Sequence, residues 1–384
     1  MGCTILKNQN NNSIRSFAPG RVCLFGEHQD YLGLPVIAAA IDLGIYFKWN
    51  GYHEPEDGRI NINMPDINSI RQIDISSKKP LEYTSKRDYL LSSINVLFNK
   101  GINVNRGFDC EIHGTLPISA GASSSSALVV SWLQLLHHVF SSKHGNDRET
   151  LNNLEPEALA RWANQAEVGE FGESGGFMDH VTSAVGGVLY ITPDYNITRL
   201  GFKDETCLVL GDSLEKKETV ENIRKLRARV ETELLEIKEI IPEFSIDDAK
   251  FLNRSFLESN SGSGLHLEDN FPLVYANLQD GLITKRALTI FQNKSYQAKE
   301  IGALVTKHHV YLRDYLGIST PKIEKLIKTS LNAGAAGAKI NGSGFGGTMF
   351  AVCENKEIQN RVAQEIDAAG GKAHPVNVNT GAKI

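Results

Sequence analysis

The period of apolar and polar positions changes several times along the first half of the chain, which predicts strands separated by helices. Four short apolar or β-branched runs are typical of buried strands and lie at residues 36–41, 44–49, 109–113 and 186–191. Two longer segments, residues 127–140 and 156–171, repeat apolar side chains every three or four positions, as one face of a helix does. Pro156 suits the first turn of the second helix.

The second half of the chain carries longer and more highly charged helical patterns. Helices are predicted at residues 218–241, at residues 280–316, where one or two fit, and at residues 321–333. A glycine-rich loop and a strand at residues 348–352 follow. Residues 193–203 are predicted to connect two domains. We therefore predict two α+β domains, an N-terminal one over residues 1–203 and a C-terminal one over residues 204–384.

Composition narrows the class of protein. The chain has 384 residues, 41% of them hydrophobic, which is enough for a large core. Its net charge is −5, whereas a protein that binds nucleic acid or a membrane surface through basic residues usually has a basic domain, so we expect neither function. Five scattered cysteines form no Cys-x-x-Cys pair, so we expect neither a disulfide framework nor a thiolate zinc site. Without a signal peptide or an apolar run of about 18 residues, we expect a cytoplasmic protein, monomeric or weakly dimeric.

Residues 116–127, LPISAGASSSSA, form the first segment that carries chemistry. Small residues and four serines lead directly into an apolar helix, so the free N–H groups at the helix start would favour an anion such as phosphate. A serine hydroxyl in such a loop can ligate Mg²⁺. A plain serine-capped helix explains the same residues, and the segment alone leaves both interpretations open.

Acidic residues mark the second segment, residues 166–180, AEVGEFGESGGFMDH. Glu167 lies on a predicted helix, and Asp179 follows a Gly-Gly bend that can present it to a cleft. Phosphoryl transfer needs one acid to hold Mg²⁺ and another to orient the acceptor hydroxyl, although both could be ordinary surface acids. Residues 172–176 also fit G-x-S-x-G. A hydrolase nucleophile elbow needs a buried strand before the serine, and the preceding residues are polar and helix-like.

Two further segments are rich in glycine or in polar side chains. The glycine density of residues 342–347, GSGFGG, marks backbone that takes special angles or approaches a ligand closely. Residues 19–30, PGRVCLFGEHQD, combine a cation with a carboxylate–imidazole cluster: Arg21, Glu27, His28 and Asp30. This cluster lacks the ligand set of a zinc site, and it suits hydrogen bonding to a polyhydroxylated ligand.

Together and in this order, the four segments resemble the motifs of the GHMP kinases, the family that includes galactokinases, homoserine kinases and mevalonate kinases. Residues 116–127 resemble its second motif, with Ala122 and Ser123 where Leu and Gly are usual, and residues 337–347 resemble its third. Within the family, residues 20–31 nearly repeat the galactokinase signature, with Gln29 where Thr is common. Residues 176–179 match the segment that holds the galactokinase catalytic aspartate.

The resemblance implies a fold, an activity and a set of residue roles. The implied fold is α+β, with an N-terminal ribosomal-S5-domain-2-like domain, a C-terminal ferredoxin-like domain and the active site between them. The implied activity is phosphorylation of the anomeric hydroxyl of galactose or a related sugar, with ATP and Mg²⁺. The implied roles are catalysis by Asp179 and Arg21, sugar binding by Glu27, His28, Asp30 and Gly176, ATP binding by Gly121, Ala122, Ser123, Ser124, Ser125, Ser126, Ala127 and Gly344, and metal binding by Glu167 and Ser125 or Ser124.

Two departures from the galactokinase pattern leave the sugar open. His180 stands where Gln usually follows the catalytic aspartate. Residues 211–219, GDSLEKKET, are shorter than the matching galactokinase segment and lack its sugar-contacting Tyr. An amino sugar or a uronic acid is therefore an alternative substrate. A non-catalytic sensor of ATP and sugar is a second alternative. Such sensors lack part of a Ser-Ala step that Ser126 and Ala127 retain, so we favour an enzyme.

Overall fold

Two β-sheets organise the protein, one in each half of the chain. The computed structural model describes residues 14–54, 56–77, 79–117, 121–141, 154–173, 175–203, 206–215, 219–253, 256–257, 265–293 and 296–384.

Strands of the first half form one mixed, seven-stranded sheet. They are β1 (Arg15–Phe25), β2 (Val36–Tyr52), β3 (Arg59–Met64), β4 (Ser69–Asp74), β5 (Phe108–Gly114), β6 (Val188–Ile191) and β7 (Ile197–Leu200). Their order is β4-β3-β5-β2-β6-β7, and β1 pairs with β2. Only the β3–β5 pair is parallel among the described strands. The strand β2 pairs with β1, β5 and β6 and is therefore the central strand of this sheet.

The helices of the first half cover one face of the sheet at β1 and β2. They are α1 (Tyr89–Asn99), α2 (Ser124–Ser141), α3 (Pro156–Glu167) and α4 (Met178–Val185). Helices α2 and α4 lie on β1 and β2, and α3 packs against both helices. Trp132 of α2 is fully buried, with its ring 4.9 Å from that of Phe47 and 6.0 Å from that of Phe108. Aromatic packing therefore fixes α2, the helix that begins in the serine run, against the sheet.

The second half contains an antiparallel sheet with helices around it. Its strands are β8 (Cys207–Asp212), β9 (Gly337–Ile340), β10 (Thr348–Cys353) and β11 (Lys372–Val376), in the order β11-β8-β10-β9. Its helices are α5 (Thr219–Ile240), α6 (Leu267–Asn270), α7 (Pro272–Gln292), α8 (Ala298–Asp314), α9 (Pro321–Asn332) and α10 (Lys356–Ala368). No helix in the described part of the chain is long and apolar enough to cross a bilayer.

Three predicted elements need correction. Residues 36–52 form one strand instead of two, because Asp42 accepts hydrogen bonds from the backbone and side chain of Asn377 and starts no turn. The helix predicted over residues 156–171 ends at Glu167, and a short 3-10 turn, Gly169–Phe171, ends at Gly172 with φ +61°. Residues 193–203 are more than a connection, since they contain β7.

The C-terminal residues return to the first sheet. Phe17 of β1 and Lys383 exchange backbone hydrogen bonds of 2.8 and 2.9 Å, and the Ala382 N–H donates to the carbonyl of Ala184, at 3.1 Å. Ala184 belongs to the last full turn of α4, the helix whose first turn carries Asp179. The tail therefore helps to fix that helix. The domain boundary at residue 203 stays a prediction, since one apolar cluster contains residues of both halves.

Candidate active site

Three of the four motif segments meet at the carbonyl of Gly121. The guanidinium of Arg21, on β1, donates from Nη1 to this carbonyl at 2.7 Å, and the side-chain amide of Asn341 donates to it at 3.3 Å. A Cβ added to Gly342 would lie 2.8 Å from the same oxygen, so the glycine-rich loop needs a glycine at this approach. The Arg21 N–H also donates to the Ala122 carbonyl, at 3.2 Å. Segments far apart in sequence thus form one site.

Arg21 and Asp179 form a bidentate ion pair at this junction. Nε lies 2.7 Å from Oδ1 and Nη2 lies 3.0 Å from Oδ2. The arginine side chain is only 6% exposed, whereas that of Asp179 is 29% exposed. The carboxylate is therefore held in a fixed orientation from one side and remains accessible from the other.

Electrostatics separates the two acids of the site. Burial would raise the pKa of Asp179, but the charge and hydrogen bonds of Arg21, with a contribution from Ser123, lower it below its usual value. Asp30 lacks such a partner. Burial, together with the negative charge of Asp179, raises the pKa of Asp30 to about 6. Asp179 is therefore a stable carboxylate at neutral pH, and Asp30 changes its charge in the mildly acidic range.

The serine run forms the start of α2. Ala122, Ser123, Ser126 and Ala127 are buried, whereas Gly121, Ser124 and Ser125 are half-buried. Ser123 has φ +60°, a left-handed conformation that favours glycine, and glycine is the usual residue there in the resembled motif. Ser124 and Ser125 thus present the accessible hydroxyls at a helix N-terminus, where a phosphate is favoured. Gly344 packs near Ile318, so its role in ATP binding stays a prediction.

A cavity of about 220 Å³ opens beside Asp30. Its other lining residues come from the β1–β2 connection and the start of β2, the loop before α4 and the first residue of α4, the end of β6 with the residues after it, and α5: Tyr31, Leu34, Val36, Gly175, Gly176, Phe177, Met178, Ile191, Thr192, Pro193, Tyr195 and Arg227. The predicted sugar-binding residues Asp30 and Gly176 both lie in this lining. Tyr195 and Arg227 were not predicted, because their sequence neighbours carry no motif. Tyr31 was given no role, although it ends the signature at residues 20–31.

Gly176 is required by its contact with Asp30. A Cβ at this position would lie 1.7 Å from Asp30 Oδ2. We predict that Gly176→Ala displaces the Asp30 carboxylate and weakens acceptor binding about tenfold or more, since overpacking costs about 1–3 kcal/mol. The acceptor KM measures the effect. Gly201→Ala is the control, because an added methyl group there meets open space. An unchanged KM in Gly176→Ala would contradict the placement of the acceptor beside Asp30.

Glu27 and His28 do not line this cavity. Glu27 is 2% exposed and forms an ion pair with Lys339 of β9. The His28 ring has Nε2 at 3.1 Å from the Ser343 carbonyl and Nδ1 at 3.3 Å from the Tyr31 hydroxyl. Both side chains therefore connect the two halves of the chain, and their predicted sugar contacts stay predictions. Lys339 was missed, although a lysine within the apolar strand GAKI was a usable signal.

Glu167 is held by His180, the residue that departs from the galactokinase pattern. His180 Nε2 lies 2.8 Å from Glu167 Oε2, and both side chains are buried. Asn164 Nδ2 lies 3.4 Å from His180 Nδ1 and 3.3 Å from the Gly176 carbonyl. This pattern makes Nε2 the donor to Glu167. The chain Glu167–His180–Asn164 thus connects the predicted metal ligand to the loop that carries Gly176.

His180 should matter for stability and for the orientation of Glu167. We predict that His180→Ala lowers the free energy of unfolding by about 1–3 kcal/mol, because a buried carboxylate loses its donor. His180→Gln should retain most of that stability, since its amide can donate to the same oxygen. Urea unfolding of both variants measures the difference. Equal losses in the two variants would show that the hydrogen bond to Glu167 is not the cause.

The hydrolase alternative lacks its structural context. Ser174 lies outside the described residues. The segment before it consists of α3 and the 3-10 turn Gly169–Phe171, whereas a nucleophile elbow follows a strand. Within the described residues, no group of three His, Cys, Asp or Glu side chains is placed to hold a metal ion by itself.

Three family models match the chain. Residues 88–187 match the GHMP kinases N terminal domain, and residues 294–372 match the GHMP kinases C terminal model. Residues 7–48 match the galactokinase galactose-binding signature. The N-terminal match contains Gly121, the C-terminal match contains Gly342, and the signature contains Arg21 and Asp30.

Known proteins of two activities are similar over nearly the whole length. A mevalonate kinase of Thermococcus sibiricus is 28% identical over 365 residues, 92% of each chain. A galactokinase of Levilactobacillus brevis is 23% identical over 365 residues, which cover 91% of this chain and 87% of its own. The sequence relatives therefore do not separate a sugar from mevalonate as the acceptor.

Solved structures confirm the predicted two-part α+β fold. Lactococcus lactis galactokinase complexed with galactose superposes with a TM-score of 0.75 at 20% identity, over 98% of this chain and 96% of that one. Methanococcus jannaschii mevalonate kinase superposes with a TM-score of 0.71 at 20% identity, over 97% of this chain and 100% of that one. At these identities the likeness concerns the fold.

Proposed function

Because the chain belongs to the GHMP kinase family, we propose that it transfers the γ-phosphate of ATP to the anomeric hydroxyl of galactose or a closely related sugar. The observation that carries the proposal is the bidentate Arg21–Asp179 ion pair, whose charges act on Asp30 in the cavity. The match to the galactose-binding signature over residues 7–48 supports a sugar as the acceptor.

In this proposal Asp179 orients the acceptor hydroxyl and accepts its proton. Its lowered pKa keeps it ionised at neutral pH, and its bidentate contact with Arg21 fixes the direction of the carboxylate. Arg21 offsets the negative charge that develops on the attacking oxygen. Positioning and electrostatics carry most of the rate, because the transition state of phosphoryl transfer asks for little covalent help.

ATP would lie with its phosphates at the start of α2. The helix N-terminus and the half-buried Ser124 and Ser125 offer backbone and hydroxyl donors there. Glu167 and Ser125, or Ser124, would hold Mg²⁺, since a carboxylate, a hydroxyl and phosphate oxygens are the hard ligands that this ion takes. Mg²⁺, when bound, neutralises charge on the phosphates. His180 keeps the Glu167 side chain oriented for this role.

A second candidate function is phosphorylation of mevalonate, which the 28% identity to the Thermococcus sibiricus enzyme favours. A coupled assay of ADP formation separates the candidates, with galactose, N-acetylgalactosamine, glucose, galacturonate, arabinose, fucose and mevalonate as acceptors. The proposal expects ADP to form with galactose or another sugar of this panel. ADP formation with mevalonate alone would reject it, and ATP binding without turnover would indicate a sensor.

Acceptor binding should depend on pH through Asp30. Its pKa is raised to about 6, so the carboxyl is mostly ionised at pH 7.5 and mostly neutral at pH 5. A neutral carboxyl is a weaker acceptor for sugar hydroxyls. We predict that the acceptor kcat/KM falls as the pH drops through about 6 and that Asp30→Asn removes this inflection. A profile that Asp30→Asn leaves unchanged would assign the inflection to another group.

A further inference from the structure

Arg227 of α5 lines the acceptor cavity together with Asp30 and Tyr31. The guanidinium carbon lies 5.4 Å from the centre of the Tyr31 ring. The pKa of the Tyr31 hydroxyl is raised above its usual value by burial, and by Asp30, while Arg227 opposes the rise. The charges of Asp30 and Arg227 therefore both act on the Tyr31 hydroxyl. Among the described residues, the cavity lining thus contains one carboxylate, Asp30, and one cation, Arg227.

Arg227 is held in place before any ligand binds. Its Nε donates to Glu231 Oε1 at 2.7 Å, one helical turn away, and its guanidinium carbon lies over the Tyr31 ring. The Arg227 side chain is 33% exposed. Within the described part of the chain, the terminal amino groups of Arg227 have no hydrogen-bond partner. A guanidinium fixed in this way loses little conformational entropy when a ligand binds.

Arg227 is the one cationic side chain in the lining of this cavity, as far as the structure describes it. A guanidinium offers parallel N–H groups that match the two oxygens of a carboxylate, and such charge-assisted pairs are about twice as strong as neutral hydrogen bonds. A neutral sugar would offer only uncharged hydroxyl acceptors there. Tyr195, 52% exposed with φ +63°, stands on the same rim and adds a flat surface.

We propose that Arg227 forms a carboxylate subsite, so that the preferred acceptor is a sugar acid whose carboxylate binds Arg227 and whose reacting hydroxyl lies beside Asp179. The inference rests on the proposed function, because it places the acceptor hydroxyl beside Asp179 and Asp30. It does not require the galactokinase tyrosine that the chain lacks near residue 218. Arg227 recognises the substituent of the sugar, and the transfer step stays with Asp179.

Matched acceptors and variants test this subsite. Galacturonate and galactose are compared for the wild type, Arg227→Met and Arg227→Lys, by kcat/KM from ADP formation and by calorimetric binding. Arg224→Met is the control, since Arg224 lies on the same helix, binds Glu221 and is 76% exposed. We expect the wild type to prefer galacturonate, with a ratio that Arg227→Met lowers about tenfold or more and Arg224→Met leaves unchanged.

Three results would overturn the subsite, and they differ from a failure of the kinase proposal. A wild-type preference for galactose would overturn it, as would an acid-to-neutral ratio that Arg227→Met does not change. A preference for galactose 6-phosphate over galacturonate would replace the carboxylate by a phosphate. In all three results a sugar is still phosphorylated. If calorimetry shows binding of galacturonate to the wild type but no sugar yields ADP, the kinase proposal fails and the subsite stands.

Discussion

Replacing Asp179 by asparagine should lower sugar-dependent ADP formation by about 10²–10⁴-fold, the usual contribution of a positioned general base. The amide can still accept a hydrogen bond from Arg21, so the fold and the binding of ATP should survive. Only the negative charge of Asp179, which orients the acceptor hydroxyl, is lost. Steady-state ADP release with saturating sugar measures the effect, and fluorescence titration with a nucleotide analogue checks the binding of ATP.

Asp314→Asn is a matched control for this variant. Asp314 also receives two hydrogen bonds from one arginine, at 2.6 and 2.8 Å, but this pair with Arg313 lies outside the cavity lining. Removal of its charge should leave turnover unchanged. Wild-type turnover in Asp179→Asn would show that another group orients the acceptor.

Lys339→Met should cause the largest loss of stability, about 3–5 kcal/mol, which is typical when one member of a buried ion pair is removed. Lys339 and Glu27 are 0% and 2% exposed and form an ion pair. Burial disfavours the charged form of both neighbours, since it raises the pKa of Asp280 well above its usual value and lowers that of His308 to about 3. The variant therefore leaves Glu27 as an uncompensated buried charge. Guanidinium unfolding measures the loss.

The double variant Glu27→Gln/Lys339→Met isolates the pair. Replacing both charges removes the uncompensated carboxylate, and most of the lost stability should return. If the double variant is less stable than Lys339→Met alone, Glu27 has a stabilising partner other than Lys339. Retained turnover in the double variant would also separate Glu27 from sugar binding, whereas a selective loss of acceptor affinity would support its predicted role.

Local sequence patterns predicted much of the fold and the centre of the site. The serine run predicted the start of a helix, and α2 begins at Ser124. The order of the segments indicated the GHMP kinase family, which the family models confirm. Arg21 and Asp179, to which the resemblance assigned the catalytic roles, form an ion pair. Each of these features is encoded in a short segment. The start of a helix or a tight glycine turn within that segment determines where its side chains lie.

Long-range contacts could not be predicted from the sequence, because a local motif does not encode strand register or the placement of helices. Glu27 and Lys339 are 312 residues apart, and nothing in GEHQD distinguishes a ligand of sugar hydroxyls from half of a buried ion pair. Arg227 is one of several basic residues on a charged amphipathic helix. Only its position over Tyr31 marks it as part of the cavity.

Nuclear magnetic resonance of the product tests the central claim most directly. The wild-type protein is incubated with Mg²⁺-ATP and galactose or galacturonate, and the phosphorus spectrum is recorded with proton coupling. The account predicts a new phosphomonoester signal that couples to the anomeric proton, together with ADP. Phosphate on another carbon, or no sugar ester while mevalonate is consumed, would contradict it.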